Sequence, residues 1–478
     1  MLSYRKFALQ KLAGIGPRWL PFADVASENV PLRRLLRLSL FQVTVGMALV
    51  LLVGTLNRVM IVELEVPASL VAIMISLPLV FAPFRTLIGF RSDTHKSAFG
   101  WRRVPYIWKG TMLQFGGFAI MPFALLVLSG YGESYDAPVW VGHGSAALAF
   151  LMVGAGVHTV QTVGLALATD LVPQEDQPKV VGLMYVMLLV GMIVSALIFG
   201  WLLADYTPGR LIQVIQGAAV VTIVLNVFAL WKQEGRDRAR ASSTAPKPHF
   251  RAEWQKLVSG VGAMRLLAVI ALGTMAFGMA DVLLEPYGGH VLNMSVAETT
   301  RLTAVLAMGG LIGFALASRV LTNGSDPVNV AFWGALSGVP GFGAIVIAAS
   351  VETTTLFILG TLIVGFGAGL FGHGTLTATM RRAPKEQVGL ALGAWGAVQA
   401  TAAGIAVAIG GALRDVIVSL QSGTATETPY IAVFGLEIVL LILALLVVLP
   451  LRAGTQASGS ATSADVLRDM DRRRLEEA

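Results

Sequence analysis

Runs of roughly 20 apolar residues, the length that carries a helix across a bilayer, recur from end to end of this chain. They fall near 37–62, 68–90, 104–129, 139–170, 180–204, 209–231, 264–288, 297–321, 328–350, 353–380, 387–413 and 429–451. Few folds are open to such a sequence. Hydrocarbon offers the backbone no hydrogen-bond partner, so each run has to close its own bonds as a helix. Charged residues make up 13% of the chain, against about 25% in soluble domains. The fold class read from this is all-α: a polytopic, multi-pass membrane protein of about twelve spans.

The net charge of +7 does not signal nucleic acid, because the excess sits in alternate connections between spans. Lys and Arg gather in the 91–103 loop, at Lys179, in the 232–256 stretch, at Arg319, and at Arg381, Arg382 and Lys385. The opposite loops are nearly bare of cations, which predicts that both termini are cytoplasmic. There is no cysteine, so disulfides and thiolate chemistry are excluded. The opening residues are basic but broken by Arg, Lys and Pro, which does not match a cleavable signal peptide.

The chain divides into a cytoplasmic amphipathic N-terminal segment (1–34), a six-helix bundle (35–231), a basic linker (232–262), a second six-helix bundle (263–451) and a cytoplasmic tail (452–478) ending in a short solvated helix. For the N-terminal segment two readings stand, a helix on the membrane surface or a solvated tail. The bundles repeat: GMALVLLVGTLNRV (46–59) aligns with GMADVLLEPYGGHV (278–291), and GLALATDLVPQEDQPKVVGL (164–183) with GTLTATMRRAPKEQVGL (374–390). Two parallel six-helix halves give a transporter-type bundle.

Ionisable residues inside spans are costly and each needs a role. Asp281 and Glu285 lie four apart on one helix face, with Arg58 and His290 placed by the repeat near the outer ends of the first and seventh helices. Either they form a proton-linked or substrate-binding cluster, or they form a gate closing the outer side. Glu437 sits near mid-depth of the last span. His158 and His373 are flanked by glycines: Gly154 and Gly156, and Gly369, Gly372 and Gly374. A neutral imidazole beside missing side chains suits axial ligation of the magnesium in a chlorophyll-type pigment; close helix packing by small residues explains the same pattern. His143 and His290 join them as pigment-ligand candidates. No metal is expected to be held directly by the protein. No nucleophile elbow, Walker loop or zinc spacing appears, so the chain is expected not to be an enzyme.

The 82–108 stretch, APFRTLIGFRSDTHKSAFGWRRVPYIW, has a loop pattern of Arg85, Gly89, Arg91, Asp93, Gly100, Arg102 and Arg103. It resembles the loop between the second and third helices of the major facilitator superfamily, although six residues separate Asp93 from Gly100. In the second half, Gly313-x-x-x-Ala317-Ser-Arg319 lacks the acid, which weakens the reading of a cytoplasmic latch and of ordinary alternating access. The wording of 82–108, with FGHGTLTATM (371–380) and YRKFALQKLAGIGPRWLPFAD (4–24), is similar to the PucC/LhaA family, the bacteriochlorophyll-delivery branch of that superfamily. The opening is most similar to the member associated with the core antenna.

The resemblance implies an assembly factor of the bacterial inner (cytoplasmic or intracytoplasmic photosynthetic) membrane that delivers bacteriochlorophyll a to antenna polypeptides. Light-harvesting complex 1 α and β polypeptides and the reaction centre are then the expected partners, with bacteriochlorophyll synthase, the membrane insertion machinery and lipid beside them; a carotenoid is a second expected pigment. Two alternatives stay open: a proton-coupled secondary transporter of a small solute, and a pigment-free scaffold for antenna assembly.

Overall fold

The computed structural model describes residues 31–80, 88, 92, 101–130, 137–173, 176–234, 259–260, 262–351, 353–382, 388–420 and 426–476. Among them twelve helices follow in order: α1 (Leu32–Glu63), α2 (Ala68–Val80), α3 (Val104–Ser129), α4 (Val139–Asp170), α5 (Gln177–Leu202), α6 (Pro208–Leu230), α7 (Ala263–Leu292), α8 (Val296–Thr322), α9 (Pro327–Ser350), α10 (Thr354–Arg382), α11 (Val388–Leu420) and α12 (Thr428–Glu476). Eleven of these are long and apolar enough to cross a membrane. The exception, α2, is described over only 13 residues; the rest of its expected span, to residue 90, falls mostly outside the described residues.

Several helices start where short-range chemistry tells them to. Thr207 accepts the backbone N–H of Arg210 at 3.1 Å with Pro208 in the first turn of α6. Asp326 accepts Val328 N–H at 2.9 Å ahead of α9. Ser295 and Glu298 form a reciprocal capping box that opens α8. Each motif satisfies N–H groups that a helix end leaves orphaned.

The repeat read from the sequence is a repeat of packing. Within each half the equivalent pairs meet: α3 on α4 and α9 on α10, α2 on α4 and α8 on α10, α1 on α5 and α7 on α11, α3 on α6 and α9 on α12. The aligned glycines Gly46 and Gly278 have equivalent neighbours. A Cβ at Gly46 would meet the α5 backbone at Leu188 and Met192, and one at Gly278 would approach Ala403 and Ala406 of α11. The halves join along two related seams, α2 on α11 and α5 on α8, with α1 also reaching α7 and α8.

Glycine makes the tightest of these contacts. On α8, Gly309 and Gly313 face the backbone of α10 at Leu362 and Phe366, and Gly365 and Gly369 return the contact onto Leu306 and Gly310. Such small-residue faces let backbones approach where lipid supplies no hydrophobic drive for helix association. The start of α1 is tied to the end of α6 by Arg34, which donates to the Gln233 side chain at 3.2 Å and to its carbonyl at 2.7 Å. The side where they meet is the linker side.

The C-terminal region departs from expectation. Instead of ending near 451 and resuming as a short separate helix, α12 continues to Glu476. The Ala- and Ser-rich stretch after Arg452 holds no proline, and its isolated glycines cost only about 1 kcal/mol each in a helix. Arg452 fixes where the apolar part stops: its guanidinium lies 3.9 Å from the centre of the Phe332 ring and donates to Asn329 at 2.6 Å.

Replacing Gly369 by Val places branched carbon against the Gly310 backbone, an overpacking that costs about 1–3 kcal/mol. A lower melting temperature of the purified protein in detergent is the expected result. Gly372→Ala, where nothing lies within 4 Å of a Cβ, should instead melt at or above the parent because Ala favours a helix over Gly.

Candidate functional site

A cavity of about 430 Å³ lies between the halves, within the range of small-molecule sites. Its lining comes from the linker-side parts of α5, α10 and α11 and from the middle of α7 and α8. The walls are apolar and aromatic. Tyr185 of α5 meets Trp395 of α11 edge-on, ring centres 6.5 Å apart, and Phe314 of α8 at the same distance. Trp395 is held by a hydrogen bond from its indole N–H to Thr375 at 3.2 Å. Phe277 and Phe371, 6.0 Å apart, form another wall.

His373 projects into this space from α10. Its ring packs edge-on against Phe314 with centres 4.1 Å apart, and its Nδ1 is buried without a hydrogen-bond partner. An imidazole nitrogen left without a partner in an apolar pocket, with aromatic faces around it, is chemically suited to ligate a metal at the centre of a flat macrocycle. Of the four candidate histidines it is the one that lines the cavity. His158, on α4, and His143, near the start of that helix, are half-buried and lie outside it. His290 is committed elsewhere, its Nδ1 2.6 Å from the hydroxyl of Tyr430.

The glycine pattern needs correction. Beside His158, a Cβ at Gly154 would strike Pro78 and one at Gly156 would strike the α3 backbone at Gly110 and Gln114. Beside His373, Gly369 and Gly374 are pressed against Gly310 and Ala331. These glycines serve helix packing, not ligand space. Gly372 alone of the five faces room.

The carboxylates do not form the cluster that their spacing predicts. α7 is interrupted at Met279, between Ala263–Gly278 and Ala280–Leu292. The fully buried Glu437 of α12 accepts the Ala280 N–H at 2.5 Å, which caps the second segment. Further along, Pro286 has no N–H to give to the Val282 carbonyl. Asn57 of α1 donates to that carbonyl instead, at 2.8 Å. Asp281, beside the break, faces the cavity and has no hydrogen bond or ion pair among the described residues. Glu285 turns away to Thr303 of α8, against Gly54 of α1.

Arg58 pairs with neither Asp281 nor Glu285. It pairs with Glu63 on its own helix and donates to the Met294 carbonyl at 3.0 Å, joining α1 to the turn between α7 and α8. This is the side away from the linker. Tyr206 lies near this pair in the loop before α6, and burial raises its phenol to about 12, with Glu63 adding to the shift and Arg58 opposing it. Ser69 N–H donates to Asp415 at 2.7 Å, and Arg414 pairs with Asp415 at 2.9 Å. Together these bonds join the halves on the far side; of the residues named for a gate Arg58 takes part, and Asp281 and Glu285 do not.

Of the loop pattern, Arg85, Gly89, Arg91, Asp93 and Gly100 lie outside the described residues. Arg103 bonds Asp170 at the end of α4 at 3.1 Å and Ser92 at 2.7 Å, and Arg102 reaches Asp170 at 3.4 Å. Glu234 accepts the N–H groups of Arg102, Arg103 and Val104 at 2.7–3.0 Å, capping α3. These partners all belong to the first half or to the start of the linker. Tyr185, Phe314 and Trp395 were not singled out from the sequence, because an aromatic residue in a span looks the same whether it faces lipid, core or cavity.

Two six-helix repeats around a central cavity define a fold of the major facilitator type. A solved point mutant of the nucleoside transporter NupG shares the fold, with a TM-score of 0.66 at 12% identity, covering 87% of this chain and 99% of that one. The family model described as PUCC protein matches residues 55–456, and the chain belongs to that family. Protein PucC of Rhodovulum sulfidophilum is 66% identical over 429 residues, covering 89% of this chain and 94% of that one. The bacteriochlorophyll synthase 44.5 kDa chain of Rhodobacter capsulatus is 27% identical over 420 residues, covering 86% and 93%. These relatives indicate a photosynthesis-related role.

Each irregular bond of α7 is testable by removing its partner. Glu437→Leu and Asn57→Leu leave a buried backbone group unpaired, at about 1–3 kcal/mol each, and should lower the melting temperature in detergent. Glu437→Gln keeps a carbonyl acceptor for Ala280 and should melt close to the parent.

Proposed function

We propose that the protein is an assembly factor for the core light-harvesting antenna, binding bacteriochlorophyll a in the cavity between its halves and delivering it to the antenna α and β polypeptides around the reaction centre. The reading places it in the bacterial inner or intracytoplasmic membrane, with the basic linker side toward the cytoplasm. It performs no turnover chemistry. The observation that carries it is His373, an imidazole whose Nδ1 has no hydrogen-bond partner, set among aromatic walls in the central cavity.

The donor and the aromatic lining suit the magnesium-bearing ring of such a pigment; a cavity of about 430 Å³ is smaller than the whole molecule, so its tail would lie outside it. His373 would hold the magnesium, and Phe314, Tyr185, Trp395 and the room beside Gly372 would accommodate the macrocycle. Bound there, the pigment supplies the light-absorbing group that the antenna needs. The chain's own part is to bind it, orient it and keep it from water. Bacteriochlorophyll synthase and the membrane insertion machinery fit this reading as donors of pigment and of nascent antenna chains, and a carotenoid as a second pigment.

The test is an absorption spectrum of gently solubilised protein from pigment-making cells. Bacteriochlorophyll should co-purify, be lost with His373→Leu, and persist with His158→Leu. Colourless parent protein overturns pigment binding; if antenna polypeptides still cross-link to it, the protein acts as a pigment-free scaffold.

One observation favours a second reading, a proton-coupled secondary transporter. Interrupted helices at the centre of such bundles commonly mark the substrate and coupling-ion site, and the α7 break puts Asp281 on the cavity wall next to Glu437 at the cap. That reading requires proton-gradient-driven solute uptake in liposomes that Asp281→Asn abolishes. Pigment binding that survives Asp281→Asn, with no flux from either protein, rejects it.

A further inference from the structure

A second pocket, of about 610 Å³, lies away from the central cavity, where the starts of α1 and α3 meet the end of α6 on the linker side. Its walls include Trp101, Trp108, Val227 and Trp231, and its rim carries Arg34 and Lys232. Trp108 and Trp231 are 40% and 59% exposed, and their indole N–H groups have no partner among the described residues. Exposed tryptophan at a helix end marks headgroup depth in a membrane protein.

The charges at the rim are arranged with one sign free. Arg34 is held in place by its bonds to Gln233, and its Nη1 has no described partner. Lys232 is exposed, with no described partner, on a turn residue with φ of 53°, a conformation that side-chain-bearing residues seldom adopt. The one acid there among the described residues, Glu234, has both carboxylate oxygens engaged by the N–H groups that open α3. Two cations therefore line the pocket, while the described anion is engaged in a cap.

We infer that this pocket is a specific site for an anionic glycerophospholipid. Arg34 and Lys232 take the phosphate, the free indole N–H groups of Trp108 and Trp231 face the ester carbonyls, and the acyl chains run along Val227 and the tryptophan faces. Basic pockets between helices at headgroup level select anionic lipid in this way. The site is independent of the central cavity and of any pigment.

The full-length protein, relipidated with equal amounts of phosphatidylglycerol and phosphatidylcholine, is examined by native mass spectrometry. Phosphatidylglycerol should be retained in preference. Lys232→Gln should reduce that retention about fivefold, the effect of one basic residue near an anionic surface, and leave phosphatidylcholine unchanged. Lys109→Gln, whose ammonium lies 5.5 Å from the centre of the Tyr106 ring outside the pocket lining, should change nothing. Equal retention of the two lipids, or equal losses in both variants, overturns the site. Because the chain has no cysteine, Lys232→Cys gives one handle for a thiol–amine cross-linker. A cross-link to Lys6 or Lys11 that phosphatidylglycerol does not displace would show the chain's own N-terminal segment in the pocket, and overturns the proposal as well.

Discussion

A backbone group that loses its helical partner inside a membrane cannot turn to water, and its cost falls on whatever lies beside it. α7 loses two such bonds, at the Met279 break and at Pro286, and two other helices make them good: Glu437 of α12 caps Ala280, and Asn57 of α1 takes the Val282 carbonyl. The irregular helix is thus tied both to a neighbour in its own half and to the first half. Phe277, Gly278 and Asp281, on either side of the break, line the central space.

The two halves share a packing plan but not a charge plan. In the first, Asp170 at the end of α4 holds Arg102 and Arg103 of the loop before α3. In the aligned stretch of the second, Met380 stands at that position and Arg381 donates to the carbonyls of Leu321 and Ser325 instead. The first fastening depends on ion pairs that salt screens; the second rests on hydrogen bonds to backbone. An acid and a base have been exchanged for a cation and a peptide dipole while the helices stayed where they were.

Much of the fold was legible because a bilayer enforces length and periodicity. The ends of α3, α4, α8 and α9 agree with the expected runs to within a residue or so, and the internal repeat foretold which helices pair. The site was legible only in part. His373 and His158 have the same local sequence character, and nothing in a glycine's neighbours tells a ligand cavity from a backbone contact; that depends on the helix opposite. Asp281 and Glu285 share a nominal helix face, but α8 offers Glu285 the Thr303 hydroxyl while Asp281 meets the cavity. Arg58 found Glu63, five residues along its own helix, because the end of α1 adopts wider π-helical turns, which a regular period does not anticipate.

The glycine contacts set which parts of the wall can move. α8 is joined to α10 backbone to backbone, as α9 is to α10 and α3 to α4, so parting any of these pairs would strip many close contacts at once. The α2–α11 seam is also close, with Gly411 against Ala68 and Ala72. Along the cavity-facing stretch of α5 and α8, by contrast, Leu189 meets Gly310 through the end of a flexible side chain and Tyr185 meets Phe314 ring to ring. Toward the far side the same seam closes on backbone, with Gly200 against the Ala297 carbonyl and Arg301 donating to the Gly200 carbonyl at 3.2 Å. Side chains can rotate aside where main chains cannot. A bulky greasy molecule passing sideways between cavity and bilayer would therefore disturb least by slipping between the cavity-facing stretches of α5 and α8, a door hung on rotamers and hinged on backbone at Gly200.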